Sequence, residues 1–271
     1  ADDLMAILED PEEVFYLAPE FRSTGFTSLF IGHSFFRPFA DGMPDHAARA
    51  GIANHEQTVV FSGGAAGAPE AWWANASKGD TIRARLDEGD VELFVMTYHP
   101  DYPTLRGYRL WIDYALQNNP NARFVVALPW NPYPSSITTQ TDETTWIAGL
   151  ESQLHAGIRQ MRREYPNNEI FVIPYGQSAW ELRKLFDAGQ LPEVEVLQSN
   201  TRPAIYRDNL GHAREILVEL GRLVWLRAIY GIDLETYNYT PPYTTDLKAL
   251  AERIMDDYES NYDSEYDAPY L

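Results

Sequence analysis

The chain of 271 residues contains no cysteine. This absence excludes disulfide bonds, thiolate nucleophiles and every zinc site that depends on cysteine ligands. Whatever chemistry the protein performs must therefore use other side chains, and its fold must be held together without covalent cross-links.

Positive charge is also scarce. The chain has 21 lysine and arginine residues against 40 aspartate and glutamate residues, which gives a formal net charge of −19 at pH 7. A protein without a basic face cannot neutralise phosphate groups, so the composition argues against nucleic acid as a partner and against binding to anionic membrane surfaces.

Long apolar runs are missing as well. No stretch approaches the roughly 18 residues that a membrane-spanning helix needs, so we expect no membrane span. The chain begins Ala-Asp-Asp without an apolar signal segment, as a processed secretory protein or a trimmed chain would. Together with the acidity and the lack of cysteine, this start favours a secreted or periplasmic protein, with the cytoplasm as the alternative.

Short apolar segments, by contrast, recur along the chain and alternate with amphipathic stretches. The five strand candidates are residues 29–31, 55–61, 91–97, 123–128 and 169–173. Alternation of strands and helices implies right-handed βαβ units and a parallel sheet. The sequence therefore predicts a three-layer α/β/α fold of the flavodoxin-like type, with a five-stranded parallel sheet.

Helices are predicted over residues 37–50 and, as one long element, over residues 141–165. Residues 194–197 indicate a weak strand or an extended connection. We interpret residues 1–233, including an N-terminal lead-in, as one domain. Residues 234–271 are interpreted as a C-terminal appendage that holds one helix and an acidic, tyrosine-rich tail.

The first strand candidate leads directly into a serine. Gly32 breaks the apolar run and Ser34 follows it, before a stretch that Pro38 opens as a helix. A serine at a sharp strand-to-helix turn is held out at the carboxyl edge of the sheet, where backbone N–H groups and the helix N-terminus favour a developing oxyanion. An ordinary glycine-serine turn has the same pattern.

A nucleophilic serine needs a histidine base and an acid that orients it. His212 lies in a glycine-containing loop near the end of the chain, and Asp208 precedes it by four residues. This spacing lets the carboxylate reach the imidazole Nδ1–H while Nε2 faces outward. A capped helix and a solvated turn explain the same two residues equally well. His99, in the loop after the third strand, is the other histidine expected at this edge.

Ligands of open parallel sheets bind beyond the carboxyl ends of the strands. The loops predicted at that edge carry flat aromatic rings and polar groups that suit a sugar or an aromatic ester, although ordinary core and surface aromatics give the same pattern. The substrate-binding candidates are Trp72, Trp73, Tyr98, Trp130 and Asn131, with Tyr102 and Tyr133 nearby.

Three short motifs in this order carry a resemblance to a known family. Ile31-Gly32-His33-Ser34-Phe35, a glycine loop after the second strand, and the Asp208 to His212 pair resemble the SGNH/GDSL hydrolase superfamily. The similarity covers about residues 26–231. It implies Ser34 as the nucleophile, His212 as the base and Asp208 as its orienting acid.

The resemblance also implies an oxyanion hole. Its donors would be the N–H of Ser34, the N–H of Gly64 or Gly67 in the glycine loop, and an asparagine side chain after the third strand. No Gly-x-Asn motif stands there in this chain. His99 falls near the place of the asparagine, Asn131 can approach from the next loop, and the remaining alternative is that this donor is missing.

Two further departures from the family pattern are visible. His33 stands where the aspartate of Gly-Asp-Ser is usual, and the gap between Asp208 and His212 is one residue longer than in the family. The first does not affect the chemistry, since that position is not essential to it. The second leaves the identity of the acid open.

The resemblance implies a serine esterase that hydrolyses an O-acyl ester of a small molecule or a glycan through an acyl-enzyme, without a cofactor or a metal. Deacetylation of a carbohydrate is the preferred case. One alternative is a non-catalytic carbohydrate-binding or accessory protein on a degenerate hydrolase fold. Another is an acyltransferase that uses the same triad.

Overall fold

The computed structural model of the chain describes residues 21–134 and 154–264. Its centre is a five-stranded parallel sheet in the order β2-β1-β3-β4-β5. The strands are β1 (Thr27–Gly32), β2 (Glu56–Phe61), β3 (Leu93–Thr97), β4 (Arg123–Ala127) and β5 (Ile170–Ile173). The predicted fold class is confirmed, and each predicted strand lies within two residues of the observed one. This strand order is the flavodoxin-like one.

The remaining regular structure consists of helices and one small sheet. The helices are α1 (Arg37–Ala40), α2 (Met43–Arg49), α3 (Pro69–Ala74), α4 (Ala76–Asp87), α5 (Arg106–Asn118), α6 (the described helical residues 154–164), α7 (Gly176–Asp187), α8 (Glu215–Tyr230) and α9 (Leu247–Ser264). The small sheet pairs β6 (Val196–Gln198) with β7 (Ala204–Tyr206) in parallel. Most of the long helix predicted over residues 141–165 lies outside the described residues.

Two apolar cores cover the two faces of the five-stranded sheet. Because side chains alternate along a strand, Phe30 and Val95 face a core built with α1, α2, α7, α8 and α9, whereas Ile31 and Phe94 face a core built with α3 to α6. All four side chains are completely buried. The three layers therefore follow directly from continuous apolar strands that are covered on both sides.

The helix predicted over residues 37–50 is wrong as a single element. It is divided into α1 and α2 around Gly42, and a Cβ atom at Gly42 would collide with the Arg222 side chain. Arg222 of α8 donates two hydrogen bonds to the carbonyl of Pro38. Pro44 lies in the first turn of α2, where its missing N–H does no harm, whereas it would interrupt a continuous helix over residues 37–50. The break therefore has a local cause in Gly42 and Pro44, and the contact with α8 packs against it.

The helix of the predicted C-terminal appendage packs on α8. Leu247, Ala251 and Ile254 belong to the same core as the α8 side chains, and Arg227 forms a 2.9 Å ion pair with Glu252. Helix α9 is thus part of the main packing of the molecule, and the domain boundary at residue 233 remains a prediction. Residues 265–271 of the predicted acidic tail lie outside the described residues.

Within the described ranges, no helix combines the length and apolar character that crossing a membrane requires.

Candidate active site

Ser34 lies in the turn that follows β1. Gly32, the last residue of β1, approaches β3 so closely that an added Cβ would stand 2.5 Å from the Thr97 hydroxyl oxygen, so only glycine fits there. The N–H groups of Phe36 and Arg37 donate to the carbonyl of His33 and close the turn. Helix α1 behind it has only four residues, so the expected support from a helix dipole is small and the turn itself holds the serine.

The structure brings Ser34, His212 and Asp208 together in one hydrogen-bond chain. The Ser34 Oγ lies 2.7 Å from Nε2 of His212, and Nδ1 of His212 lies 2.7 Å from Oδ2 of Asp208. An ionised carboxylate only accepts hydrogen bonds, so Nδ1 carries the proton of the neutral ring. Nε2 is then the acceptor of the serine O–H, which is the arrangement that activates a hydroxyl nucleophile.

Asp208 is fixed by three donors. Its Oδ1 accepts the N–H groups of Gly211 and His212 at 3.1 and 3.2 Å, while Oδ2 accepts from the His212 ring. Burial on its own would raise the pKa of Asp208, but the hydrogen bonds from the His212 ring and from the two N–H groups outweigh it, and the pKa is lowered. The carboxylate therefore stays ionised and continues to accept the hydrogen bond from the His212 ring.

The extra residue between acid and base is accommodated by Gly211. Its φ of +97° is a conformation that favours glycine, and a Cβ there would stand 2.6 Å from Cδ of Pro134. The longer spacing therefore still allows Asp208 to contact His212, a contact that the sequence alone does not establish.

His33, next to the serine, connects the turns after β1 and β3. Its Nε2 lies 2.8 Å from the carbonyl oxygen of Tyr98, so Nε2 must donate, and its Nδ1 accepts the N–H of Phe35. Burial lowers the pKa of His33 to about 4, so it is neutral at pH 7. An extended chain at this point would direct His33 to the side opposite Ser34, and its bracing contact depends on Tyr98, 65 positions later.

His99 lies beside His33, with ring centroids 5.0 Å apart. Its Nδ1 accepts the N–H of Asp101 at 3.2 Å, so the proton of a neutral His99 ring is on Nε2. Burial lowers the pKa of His99, which favours that neutral form. The structure therefore presents an N–H donor in the loop after β3, at the edge where the serine lies.

The glycine loop after β2 contacts the serine turn. The N–H of Ser62 donates to the carbonyl of Gly32, and Gly67 is buried against the same carbonyl, which a Cβ would approach to 2.6 Å. Gly64 is exposed, with a φ of +57° and open space in front of it. Lys78, which no sequence motif singles out, donates to the Ser62 hydroxyl at 3.0 Å.

The predicted wall of substrate-binding aromatics is largely wrong. Trp72, Tyr98 and Trp130 are 0%, 5% and 2% exposed, so their rings belong to the two cores and offer no surface to a sugar. Trp73 is half-buried and packs edge-on against Trp111. The number of aromatic residues near the carboxyl edge of the sheet cannot distinguish rings buried in a core from rings exposed to a ligand.

Half-buried or exposed groups remain as candidates for substrate contact. Asn131 and Tyr102 are half-buried, and Tyr133 is 56% exposed with a φ of +60°. Tyr133 N–H donates to the carbonyl of Leu210, which holds this ring next to the loop that carries Asp208 and His212. Among the described residues, no three or more histidine and carboxylate side chains are grouped so that they could hold a metal ion.

The lowered pKa values of three buried histidines predict that the protein loses stability in mild acid. Burial lowers the pKa of His33 and His46 to about 4 and that of His155 to about 3. The unfolded chain binds these protons near pH 6.5 and the folded chain does not. Stability is therefore unaffected above pH 6.5 and falls between pH 6.5 and 4, by about 2 kcal/mol per histidine at pH 5.

The measurement is the urea midpoint at pH 7.5 and at pH 5, for the wild-type protein and for His46→Gln. Glutamine does not titrate, so the variant should lose less stability between the two pH values than the wild type does. Equal losses would show that His46 is protonated as easily in the folded protein as in the unfolded one.

Comparisons with known proteins give a fold and no family. No family model matches the chain, and no curated protein matches it. A crystal structure of a DUF4886 family protein from Bacteroides uniformis is similar with a TM-score of 0.58 and 13% identity, over 87% of this chain and 94% of that one. The periplasmic domain of a lipopolysaccharide acetyltransferase from Salmonella ser. Paratyphi A has a TM-score of 0.41 and 12% identity, over 77% of this chain and 84% of that one. At 13% identity, the first similarity shows a shared fold.

Proposed function

We propose that the protein is a serine esterase of the SGNH/GDSL type that cleaves an O-acyl ester through an acyl-enzyme on Ser34. The observation that carries the proposal is the chain of two 2.7 Å hydrogen bonds from Asp208 through His212 to Ser34. Ser34 is 178 positions away from His212 in the sequence, and the meeting of the three residues at the carboxyl edge of a parallel sheet is what a nucleophile, a base and an orienting acid require.

The reaction follows from the positions of the protons. His212 Nε2 takes the proton of Ser34 as the serine oxygen attacks the ester carbonyl, and the imidazolium is stabilised by Asp208. The same proton passes to the leaving alcohol when the tetrahedral intermediate collapses to the acyl-enzyme. Water, deprotonated by His212, then attacks the acyl carbonyl, the bond to Ser34 breaks, and the proton returns to the serine.

The oxyanion of both intermediates needs donors that are already in place. We assign the N–H of Ser34, the N–H of Gly64 and the Nε2–H of His99 to this role. Gly64 is favoured over Gly67 because Gly64 is exposed, whereas Gly67 is buried against Gly32. His99 is favoured over Asn131 because its hydrogen bond from Asp101 fixes the tautomer that donates.

Replacement of His99 tests the third donor. We expect His99→Ala to lower kcat by about 100- to 1000-fold with little change in KM, because loss of one oxyanion donor acts mainly on the transition state. His99→Asn should recover part of the loss, since an amide restores an N–H. If His99 only braces its loop, both variants should change stability or KM and leave kcat near that of the wild type.

The acyl group is small in this proposal and the alcohol is a carbohydrate. Among the described residues, the candidates for substrate contact that retain exposed surface include Asn131, Tyr102 and Tyr133. An acyltransferase would share every step up to the acyl-enzyme and differ only in which hydroxyl attacks it. The two are distinguished by the product formed when acetylated glycans are incubated with and without a second alcohol.

The direct test uses a fluorophosphonate probe and p-nitrophenyl acetate. The probe should add one covalent label per chain, on the peptide that contains Ser34, and the acetate ester should be hydrolysed with a burst of p-nitrophenol. A protein that binds acetylated glycans but reacts with neither reagent would be a binding protein on this fold.

A further inference from the structure

Trp130 was expected to bind substrate and instead lies beneath the site. Trp130 is the third residue after the end of β4, and it is 2% exposed. The indole ring is stacked on Phe35, with centroids 4.7 Å apart and planes 12° apart. Its Nε1–H donates a 2.9 Å hydrogen bond to the carbonyl of Gly211.

These two contacts are with the residues next to Ser34 and next to His212, which are the two partners of the proposed catalytic hydrogen bond. Phe35 directly follows Ser34, and Gly211 directly precedes His212. The Phe35 ring also lies edge-on against the His212 ring, with centroids 5.3 Å apart. The rigid indole of a single residue therefore contacts the segment that carries the proposed nucleophile and the segment that carries the proposed base.

The indole also holds the carbonyl side of Gly211. Glycine has more accessible backbone conformations than any other residue, and within the loop the Gly211 N–H is held by Asp208. The hydrogen bond from Trp130 fixes the Gly211 carbonyl. The peptide group that contains this carbonyl also contains the N–H of His212, which donates to Asp208.

Trp130 itself is firmly held. Its ring packs edge-on against Phe39 and Tyr175, with centroids 5.9 Å away in each case. The backbone of Gly176 approaches so closely that a Cβ there would stand 2.8 Å from the Trp130 nitrogen. A buried ring packed against neighbours on several sides has little room to move, and so it can hold both segments in a fixed position.

We propose that Trp130 is a positioning residue that sets the distance and orientation between Ser34 Oγ and His212 Nε2. The proposal rests on the proposed esterase function and assigns no contact between Trp130 and the substrate. A displacement of about 1 Å between reacting groups can cost on the order of 100-fold in rate. Loss of the indole N–H should therefore lower kcat and leave KM nearly unchanged.

The test compares Trp130→Phe with Trp111→Phe. Trp111 is an equally buried tryptophan whose Nε1–H donates a 2.8 Å hydrogen bond to the carbonyl of Pro69 in the opposite core. Both changes remove an indole and one buried hydrogen bond, so both should destabilise the protein to a similar extent. Only Trp130→Phe should lower kcat with p-nitrophenyl acetate, by about 10- to 100-fold at nearly constant KM.

A spectroscopic readout separates this proposal from the proposed function. The proton between His212 Nδ1 and Asp208 should give a downfield signal in the proton NMR spectrum, identified by its loss in Asp208→Asn. The signal should shift or broaden in Trp130→Phe and persist in Trp111→Phe. The NMR signal can be measured whether or not the protein hydrolyses esters. An inactive wild-type protein would therefore contradict the proposed esterase function and still allow the positioning role of Trp130 to be tested.

Equal kcat values and unchanged NMR signals in the two tryptophan variants would overturn the positioning role. If Trp130→Phe does not fold, Phe35→Leu supplies the test from the other side of the stack, because it removes the ring between Trp130 and His212. It should also lower kcat at nearly constant KM, and a kcat equal to that of the wild type would contradict the proposal.

Discussion

Replacing Ser34 by alanine is expected to lower ester hydrolysis by roughly 10⁴- to 10⁶-fold while the fold stays intact, as removal of the nucleophile does in triad enzymes. The Ser34 Oγ is the only atom of the residue that the proposed mechanism uses for bond formation, and it lies 2.7 Å from the proposed base. The measurements are kcat with p-nitrophenyl acetate, which should fall by this factor, and fluorophosphonate labelling, which should be lost.

Ser28→Ala is the matched control. Ser28 lies on β1, the strand that leads to the Ser34 turn, is completely buried, and donates its hydroxyl to the nearby carbonyl of Phe26. This variant should keep full labelling and activity. Activity of Ser34→Ala within about tenfold of the wild type would exclude Ser34 as the nucleophile, because no other residue in this arrangement can replace a lost acyl acceptor.

The sheet could be predicted from the sequence because its strands are continuous apolar runs. Phe94, Val95 and Met96 are all completely buried, and a segment with no polar face can only lie between two layers. The short strands β6 and β7 were harder to foresee. Val196 to Gln198 are half-buried, and Ala204 to Tyr206 were not recognised as a strand because three residues carry too little periodicity.

At the candidate site, the sequence could predict contacts within one loop, and it could not predict contacts between residues that are far apart in the chain. Spacing suggested the Asp208–His212 pair because the two residues are neighbours in one loop. The burial of Trp130 depends on Phe35, Phe39 and Tyr175, which come from two other parts of the chain. A pattern in one loop cannot show whether an aromatic ring at its start faces solvent or the core.

The same limit applies to His33. The sequence places it next to Ser34, but the bond from its Nε2 to the Tyr98 carbonyl exists only because β1 and β3 are neighbours in the sheet. The sequence could predict that both strands are buried, and it could not determine their order. Once the order is known, the histidine is seen to hold the loop after β3 close to the loop after β1.

Replacing His212 by alanine is expected to be as damaging as Ser34→Ala, and the double variant Ser34→Ala/His212→Ala should be scarcely worse than either. A base without its nucleophile has nothing to deprotonate, so the two losses are not additive. The comparison requires kcat for both single variants and the double variant. Losses that multiply would show that the two residues act independently and would contradict the proposed transfer of a proton between them.

His55→Ala serves as the control for the loss of a histidine. His55 is half-buried, bonds to Tyr230 and Gln57, and precedes β2 at the opposite edge of the sheet, so its loss should change stability and leave kcat near that of the wild type. Asp208→Asn completes the series. Its amide occupies the same space but accepts less strongly from Nδ1–H and can present an N–H there, which favours the wrong tautomer of His212. We expect a loss of kcat by about 10³- to 10⁴-fold, and a variant with full activity would show that another group orients the base.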